Sequence, residues 1–331
     1  MNNQTTLKKI SKVLNISIST VSRALKNHPD IAEKTKQKVK ELAETLEYEP
    51  NTYAIQLRTN NSNVFGLIVP FISNYFYDSF IAAVEEECRI NGYSIMILQS
   101  GDDAATEISN LRLCKQNRVS GIFACITPNT EDISTFLKID AAGIPVIFFD
   151  KVPAFEACNK VCLADNSAAK IAAEKIIAKK KKKILALFGN KNLSITKKRL
   201  AAFKETFTTK NYKSQIIIQH VENAKETAEV CFKALSSNAK HDTIFCMSDE
   251  ILTGAMKAIQ QIHLQIPKDI AVISISNGII PKLYYPEITY AETSGYKLGK
   301  VAFTRMLACL AGRTFVQEIV IDSMLVEGGS I

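Results

Sequence analysis

Residues 6–30, TLKKISKVLNISISTVSRALKNHPD, contain two short helical patterns joined by a tight turn. The first pattern repeats its apolar residues every three or four positions, at Leu7, Ile10, Val13 and Leu14. Thr5 or Thr6 precedes it and can cap the start of a helix. Asn15 follows it, and asparagine tolerates the left-handed backbone that a tight turn requires. The stretch therefore predicts a helix that ends in a turn.

The second pattern begins after Ser17, whose side-chain oxygen can cap another helix. Its predicted buried face consists of Val21, Ala24 and Leu25. Two short helices joined by a turn of this length form a helix-turn-helix, whose second helix presents side chains near its N-terminal half to base edges of DNA. In this chain those exposed positions are Ile18, Ser19, Ser22 and Arg23.

These four exposed side chains suit the recognition of DNA bases. Arginine can bond guanine O6 and N7 together, serine donates or accepts, and isoleucine can touch a thymine methyl group. A third helix is predicted after Pro29, with Asp30 and Glu33 in the spacing of a capping box. Its apolar face is expected to close a small core and comprises Val39, Leu42, Ala43 and Leu46.

The positive charge of the chain is concentrated near its start. The formal net charge is +8, and residues 1–60 contribute ten Lys and Arg against six Asp and Glu, or +4. Five basic residues and no acidic one precede Asp30. Such a cluster suits contact with a polyanion, although a solvated surface is an equal alternative on charge alone.

The remainder of the chain contains short apolar runs separated by longer helical patterns. Continuous hydrophobic strands that alternate with helices indicate parallel sheets covered on both faces, which is a doubly wound α/β fold. The runs fall into two groups, so two similar sheets are predicted, with ligand in the cleft at the carboxyl ends of their strands. The runs are residues 64–71, 93–99, 121–127, 145–150, 160–165, 183–189, 215–221, 243–249 and 271–276.

Residues 6–59 closely resemble the DNA-binding head of the lactose-repressor and purine-repressor family. The family's V-S-x-S-T-V-S-R core corresponds to Ile16–Arg23, its N-x-x-P turn to Asn27–Asp30 and its G-Y-x-P-N motif to Glu47–Asn51, while Asn15 replaces the usual glycine. The resemblance implies a transcription regulator, expected to be a repressor, that binds a double-stranded DNA operator as a homodimer. It adds implied DNA contacts from Thr6, Ser17, Thr20, Asn27, Tyr53 and Ala54.

A short hinge is predicted between this head and the body. Asn51 can cap residues 52–57, where Ala54 and Leu57 share one face, but so short a helix is marginal in water. The resemblance implies that the hinge folds on DNA, pairs with its copy and inserts Leu57 into the minor groove as a wedge. Ordinary linker packing of Leu57 is the alternative. The expected divisions are a head at 1–50, a hinge and linker at 51–62, and a body at 63–331.

The body, residues 62–331, resembles the family's effector domain, which is similar to periplasmic sugar-binding proteins. The matching motifs lie at Gly66–Phe76, Ile144–Asp150, Asp165–Ala169, Arg199–Phe203, Ser248–Ile259 and Ile266–Val272. The resemblance implies two lobes between which the chain crosses three times, near residues 161, 290 and 319, and a small-molecule effector that is expected to be sugar-like. The expected lobes are residues 63–160 with 291–318, and residues 161–290 with 319–331.

Candidate effector contacts lie near the predicted strand ends. Phe76 and Tyr77 occupy the family's stacking positions, with core packing as an equal alternative. Asp150 ends a strand, where its carboxylate can accept hydrogen bonds from hydroxyls. Arg199 holds the position that clamps the effector in relatives, with a solvated helix arginine as the alternative. Ser248 can cap a helix, contact the ligand or do both.

The body departs from the family pattern at two places. Ser276 and Asn277 stand where many relatives have an aspartate pair, and they complete the predicted effector contacts. Lys151 follows Asp150 where arginine is common. Because an acceptor carboxylate is lost at 276–277, the sequence does not identify a particular sugar.

Other patterns limit the function. The eight cysteines lie mostly in apolar segments without a C-x-x-C pair, which favours free packing thiols. No catalytic signature is present, so we expect no enzyme, no cofactor and no metal. The start lacks a signal peptide and no run reaches about 20 apolar residues, so a cytoplasmic protein without a membrane partner is expected. A periplasmic-type solute-binding module is one alternative, and the absent signal peptide and the basic head argue against it. A sugar-processing enzyme is the other, and the missing catalytic groups argue against that one.

Overall fold

The computed structural model describes residues 6–48, 62–237, 240–312 and 315–331. The chain forms two compact units, Met1–Asn61 and Ser62–Ile331. Most of the predicted hinge, with Tyr53, Ala54 and Leu57, lies outside the described residues.

The first unit is a three-helix head. Its helices are α1 (Leu7–Leu14), α2 (Ile18–Leu25) and α3 (Glu33–Thr45). The predicted turn and caps are confirmed. Asn15 has φ +51°, Thr6 Oγ1 accepts a hydrogen bond from the Lys9 amide at 3.3 Å, and Ser17 Oγ accepts one from the Thr20 amide at 3.0 Å. The core of the head contains Ile10, Val21, Ala24, Val39 and Ala43.

Two sequence expectations for the head are wrong. Val13 is 61% exposed, because the buried face of α1 is centred between Ile10 and Ser11 and Val13 points well to one side of it. Asp30 does not cap α3, whose cap position is Ala32 with no side-chain hydrogen bond. The Asp30 carboxylate instead lies 3.3 Å from His28 Nδ1, so local turn contacts take the place of a capping box.

The second unit contains two six-stranded sheets among its described residues, as predicted. The strands of the first sheet are, in spatial order, β11 (Glu318–Ile321), β5 (Asn159–Leu163), β4 (Val146–Phe149), β3 (Gly121–Ala124), β1 (Val64–Val69) and β2 (Ser94–Gln99). Those of the second are β12 (Leu325–Val326), β10 (Thr289–Glu292), β9 (Ala271–Ser276), β8 (Thr243–Cys246), β6 (Lys183–Phe188) and β7 (Gln215–His220). Every pairing is parallel except that of β10 with β12.

Helices cover these sheets and bury their central strands. The helices of the first lobe are α4 (Tyr75–Ile90), α5 (Ala104–Gln116), α6 (Ser134–Ala141) and α11 (Gly295–Leu310). Those of the second are α7 (Asp165–Ala178), α8 (Ser194–Thr209), α9 (Ala224–Ser236) and α10 (Asp249–Gln261). The central strands β3, β4 and β8 are buried along their whole length, which explains why they read as unbroken hydrophobic stretches.

The chain passes between the lobes three times, each time a few residues later than expected. β5 and β11 belong to the first sheet and β10 to the second, so the crossings follow Leu163, Glu292 and Ile321. β10, β11 and β12 were not recognised as strands in the sequence. They are short, and the sides of β11 and β12 are only partly buried, so they lack a continuous apolar run.

The structure also describes the state of the cysteines and the apolar character of the helices. All eight cysteines are free thiols, and all but Cys309 are buried. Within the described ranges, no helix combines the length and the apolar character that a membrane crossing demands.

Candidate functional site

The head exposes one face of α2. At about 100° per residue, Ile18, Ser19, Ser22 and Arg23 occupy a single sector opposite the fully buried Val21 and Ala24. Ile18 is 47% exposed although it is apolar. We call these four residues the recognition face. The structure thus brings the sequence-predicted base-reading residues together on one surface.

Hydroxyl groups cluster at the start of the recognition face. Ser17 Oγ lies 2.7 Å from Ser19 Oγ and 2.8 Å from Thr20 Oγ1. They surround the N-terminus of α2, where free backbone amides and the helix dipole favour an anion such as a DNA phosphate. Of the other predicted contacts, Thr6 and Asn27 are exposed on the head.

The guanidinium of Arg23 is available to a partner. Its only ion pair within the described head is with Asp30 at 3.8 Å, and both side chains are about 60% exposed. An exposed pair at this distance contributes little to stability, so binding a base edge costs the head little.

The body contains a cleft cavity of about 210 Å³ between the carboxyl ends of the strands of its two lobes. We call it the inner chamber. Every sequence-predicted effector residue lines it: Phe76, Tyr77, Asp150, Arg199, Ser248, Ser276 and Asn277. The N-terminus of α4 supplies the two aromatics, and Asn74 fixes them because its Oδ1 accepts hydrogen bonds from the amides of Phe76 and Tyr77.

Tyr77 and Asp150 form a pair at the wall of the inner chamber. Tyr77 is almost fully buried, and its hydroxyl donates to Asp150 Oδ2 at 2.8 Å. Tyr77 is therefore both a core residue and a positioning group, whereas Phe76 is half-buried against it in an edge-to-face contact. The Cys125 thiol also lies 3.8 Å from Asp150 Oδ2. Oδ1 of Asp150 has no hydrogen bond among the described residues and can accept one.

Burial of the Asp150 carboxyl lowers the stability of the fold when that carboxyl is ionised. The φ of Asp150, +57°, lies in the left-handed region, which aspartate tolerates better than most residues with a side chain. Burial raises the pKa of its carboxyl, an effect that the Tyr77 hydrogen bond opposes and the nearby Asp165 reinforces. A desolvated carboxylate at the end of β4, in the wall of a cleft, is a candidate functional group.

Arg199 is buried, so the alternative of a solvated helix arginine is excluded. Its Nε and Nη2 lie 3.0 and 2.8 Å from Asp165 Oδ1, and Nη1 donates to the Met247 carbonyl at 2.7 Å. The positive charge is thus neutralised inside the protein. The sequence pointed to Arg199 but missed Asp165 as its partner, although the D-N motif that contains Asp165 was recognised.

A second carboxylate, Asp249, organises the opposite wall. Ser276 Oγ donates to Asp249 Oδ1, and the Asn277 amide donates to Oδ2 at 3.0 Å. Burial raises the pKa of Asp249. Ser248 caps α10 by accepting a hydrogen bond from the Ile251 amide at 3.4 Å, and it also lines the chamber. Where many relatives have an aspartate pair, at 276–277, this chain therefore has a loop that is hydrogen-bonded to Asp249.

The two lobes also touch directly across the inner chamber. The Asn277 side-chain amide donates to the Tyr75 carbonyl, which joins the loop after β9 to the start of α4. A bond of this kind forms only when the lobes are close together, and it therefore reports on closure of the cleft.

No metal centre accompanies either site in the part of the chain that the structure describes, because no three His, Cys, Asp or Glu side chains lie close enough together to hold an ion.

Asp150→Asn tests the cost assigned to this carboxylate. The raised pKa in the folded state means that ionised Asp150 destabilises the fold once the pH exceeds the usual Asp pKa of about 3.9, and the loss grows until the raised pKa is passed. The asparagine variant should therefore be more stable than the parent at pH 7, with a smaller difference near pH 4. Urea unfolding of the full chain at both pH values measures this.

Asp132→Asn is a matched control of opposite sign. Hydrogen bonds from Ser134 lower the pKa of the exposed Asp132 carboxyl, so its ionised form stabilises the fold above the usual Asp pKa. The variant should lose stability at pH 7. Equal effects of the two substitutions would contradict the assignment of Asp150.

Both units match described families. Residues 62–326 match the family described as periplasmic binding proteins and sugar binding domain of LacI family, and residues 6–51 match the bacterial regulatory proteins of the lacI family. The HTH-type transcriptional regulator RegA of Clostridium saccharobutylicum is 26% identical over 330 residues, 98% of each chain. The HTH-type transcriptional repressor PurR of Vibrio vulnificus is 25% identical over 304 residues, 91% of each.

A solved structure shares the fold over nearly the whole chain. The crystal structure of the lac repressor dimer bound to operator and the anti-inducer ONPF superimposes with a TM-score of 0.87 at 20% identity, covering 99% of each chain.

Proposed function

This chain belongs to the LacI family of bacterial regulatory proteins and is a sequence-specific DNA-binding regulator, and from that premise we propose that it represses transcription under the control of a sugar-like effector. Relatives at about 25% identity are named repressors, among them PurR of Vibrio vulnificus and the ribose operon repressor of Halalkalibacterium halodurans. The effector is bound and released without chemical change, so the inner chamber acts as a sensor and not as an active site.

The observation that carries this proposal is the recognition face of α2. Arg23 and Ser22 present donors and acceptors to base edges, and Ile18 presents an apolar contact for a thymine methyl. Ser17 and Thr20 bind backbone phosphate at the helix N-terminus, and Thr6 and Asn27 extend this contact. Tyr53, Ala54 and Leu57 of the hinge contact the minor groove, with Leu57 as the wedge.

Arg23→Ala tests base recognition. Loss of a bidentate contact to a base should weaken binding to the cognate site by about 1–3 kcal/mol, while binding to random DNA changes little. The cognate site is first selected from a random DNA pool with the full chain, and both affinities are then measured by fluorescence anisotropy at one fixed salt concentration.

Lys9→Ala is the matched control on the same unit. The Lys9 ammonium is exposed and suits a phosphate, so its loss should weaken cognate and random DNA alike. If Arg23→Ala also weakened both classes of DNA equally, base recognition by this residue would be excluded.

The regulator acts as a homodimer. One recognition face covers only half of an operator, so a second head is required for a two-fold site. The segment around the 3₁₀ turn Ile280–Leu283 carries Ile279, Leu283 and Tyr285, whose large apolar side chains are exposed, Tyr285 completely. An apolar group of this kind suits a subunit contact.

Light scattering at micromolar concentration should give twice the chain mass of 36.7 kDa. Leu283→Lys, which places a charge in the apolar segment, should shift the population towards the monomer. A monomeric mass for the parent would contradict the dimer.

The effector is uncharged and rich in hydroxyl groups. Three carboxylates line the inner chamber, those of Asp150, Asp249 and Glu250, against the single guanidinium of Arg199. That guanidinium is already paired with Asp165, so an anionic ligand finds repulsion without a free cation. The free oxygen of Asp150 and the half-buried ring of Phe76 instead suit hydroxyl groups on a carbon ring.

Thermal shift of the full chain tests the charge of the effector. Glucose, galactose and ribose are compared with glucose 6-phosphate, galactose 1-phosphate and ribose 5-phosphate at equal concentration. At least one neutral sugar should raise the Tm, and its phosphate ester should raise it less or not at all. Stronger stabilisation by a phosphate ester would contradict the assigned ligand class.

A further inference from the structure

One edge of the second lobe is strongly basic. Four of its loops lead into the amino ends of β6, β7, β8 and β9, at the edge of the sheet that faces away from the inner chamber. These loops contain nine lysines and two aspartates, so their net charge is +7, whereas the whole chain carries +8. We call them the basic pole, which comprises residues 179–183, 210–214, 240–242 and 262–270.

The lysine-rich turn of the basic pole has a defined conformation. Asp242 Oδ2 accepts hydrogen bonds from the backbone amides of Lys182 and Lys183, at 2.7 and 3.0 Å. Lys182 Nζ lies 3.7 Å from the centre of the Tyr212 ring and donates to the Lys213 carbonyl at 3.1 Å. The carboxylate of Asp242 is therefore used by the backbone and orders the turn that displays the lysines.

Most ammonium groups of the basic pole have no ion pair among the described residues. Lys210 Nζ lies 3.9 Å from Glu174 Oε1, and Lys182 is held against Tyr212. Unpaired like charges on one surface repel one another, and a polyanion relieves that repulsion. The seven lysines without an ion pair in the described structure are all exposed except the half-buried Lys181: Lys179, Lys180, Lys181, Lys183, Lys213, Lys240 and Lys268.

The ends of helices account for only part of this positive charge. α7, α8, α9 and α10 all end at this edge, because a helix that connects two parallel strands carries the chain back to the start of the next strand. A helix C-terminus is equivalent to roughly half a negative charge, so the four together offset about two lysines. Glu287, in the neighbouring loop before β10, offsets one more. A surplus of about four positive charges remains.

The dimensions and chemistry of the basic pole suit duplex DNA. β9, β8, β6 and β7 are neighbours in the sheet, and at about 4.8 Å between strands their amino ends span roughly 14 Å. Duplex DNA carries one negative charge per about 1.7 Å of its axis, so this span faces roughly eight phosphates. No large apolar side chain is exposed in the described loops of the basic pole, so it lacks the anchor that a membrane or a protein interface uses.

The basic pole is also distant from the point where the chain enters the body. That point is Ser62, beside the amino end of β1 in the first sheet, where Ser62 Oγ donates to the Arg118 carbonyl at 2.6 Å. The carboxyl ends of the strands of both sheets meet at the inner chamber, so the amino ends of the two sheets lie at opposite ends of the body.

We propose that the basic pole binds a second segment of double-stranded DNA, of any sequence, while the recognition face holds the operator. The contact is electrostatic, between lysine ammonium groups and phosphates, so it does not read bases. A regulator already attached to DNA meets other segments of the same molecule at high effective concentration, so a weak contact is sufficient. The protein thereby bridges two segments of DNA, a function beyond recognition of the operator.

A titration with two DNA duplexes tests the proposal. The full chain is saturated with its unlabelled cognate duplex, and a short labelled duplex of random sequence is then added and followed by fluorescence anisotropy. The random duplex should bind to this complex. The triple variant Lys179→Gln, Lys181→Gln and Lys183→Gln should weaken that binding about tenfold or more, and should reduce the slope of log affinity against log salt concentration by about 2–3. Its affinity for the cognate duplex alone should equal that of the parent.

Two further triple variants are controls. Arginine at positions 179, 181 and 183 keeps the charge and should retain the affinity for the random duplex. Glutamine at Lys138, Lys170 and Lys197 removes the same charge from exposed sites of the body outside the basic pole, where no ion pair is formed among the described residues. This variant should bind the random duplex as the parent does.

Three results would overturn the proposal. The first is that the parent, once saturated with cognate duplex, does not bind the random duplex. The second is that the glutamine variant of the basic pole binds it as tightly as the parent or as the control at positions 138, 170 and 197. The third is that vesicles containing phosphatidylserine bind the parent more tightly than the random duplex does, which would identify an anionic membrane surface as the occupant.

Discussion

The buried ion pair between Arg199 and Asp165 fixes the sensing half of this protein. Asp165 begins α7 directly after the first crossing between lobes, and Arg199 lies on α8, so the pair ties two helices of the second lobe together. The bond from Arg199 to the Met247 carbonyl adds the end of β8. A buried charge is tolerated only when it is paired and fully hydrogen-bonded, so these partners must stay in place. The geometry of the cleft wall follows from that requirement.

The same pairing sets the chemistry of the cleft. Because the guanidinium is satisfied within the protein, the groups left for a ligand are mainly acceptors and an aromatic face, with Asp150 the most constrained among them. Desolvation of Asp150 lowers the stability of the fold when its carboxyl is ionised, and the hydroxyl-rich ligand proposed above would compensate for part of that loss. The ionised carboxylate of Asp150 therefore destabilises the fold while it remains available to a ligand. The ion pair of Arg199 instead stabilises the fold and the cleft wall together.

The head follows a different principle. Its core consists of a few small apolar residues, and nearly all of its chemistry lies on the outside, on the recognition face of α2. The caps at Thr6 and Ser17 and the left-handed Asn15 depend on residues three or four positions away, so the sequence predicted them correctly. It failed at Val13 and Asp30 because the packing of three helices, and not local spacing, decided which sides were buried and where α3 began.

For the body, the sequence by itself determined the doubly wound architecture and nine of its strands, and its resemblance to the family pointed to the residues that the cleft brings together. Hydrophobic periodicity and strand ends are local properties that a single chain displays. The tertiary structure decided the rest: the short strands β10, β11 and β12, the places of the crossings, and which charges are paired. The partners of Arg199 lie 34 and 48 positions away, and those of Asp249 lie 27 and 28 positions away. Whether a polar group in the cleft is free for a ligand depends on such distant neighbours, and only folding brings them into contact.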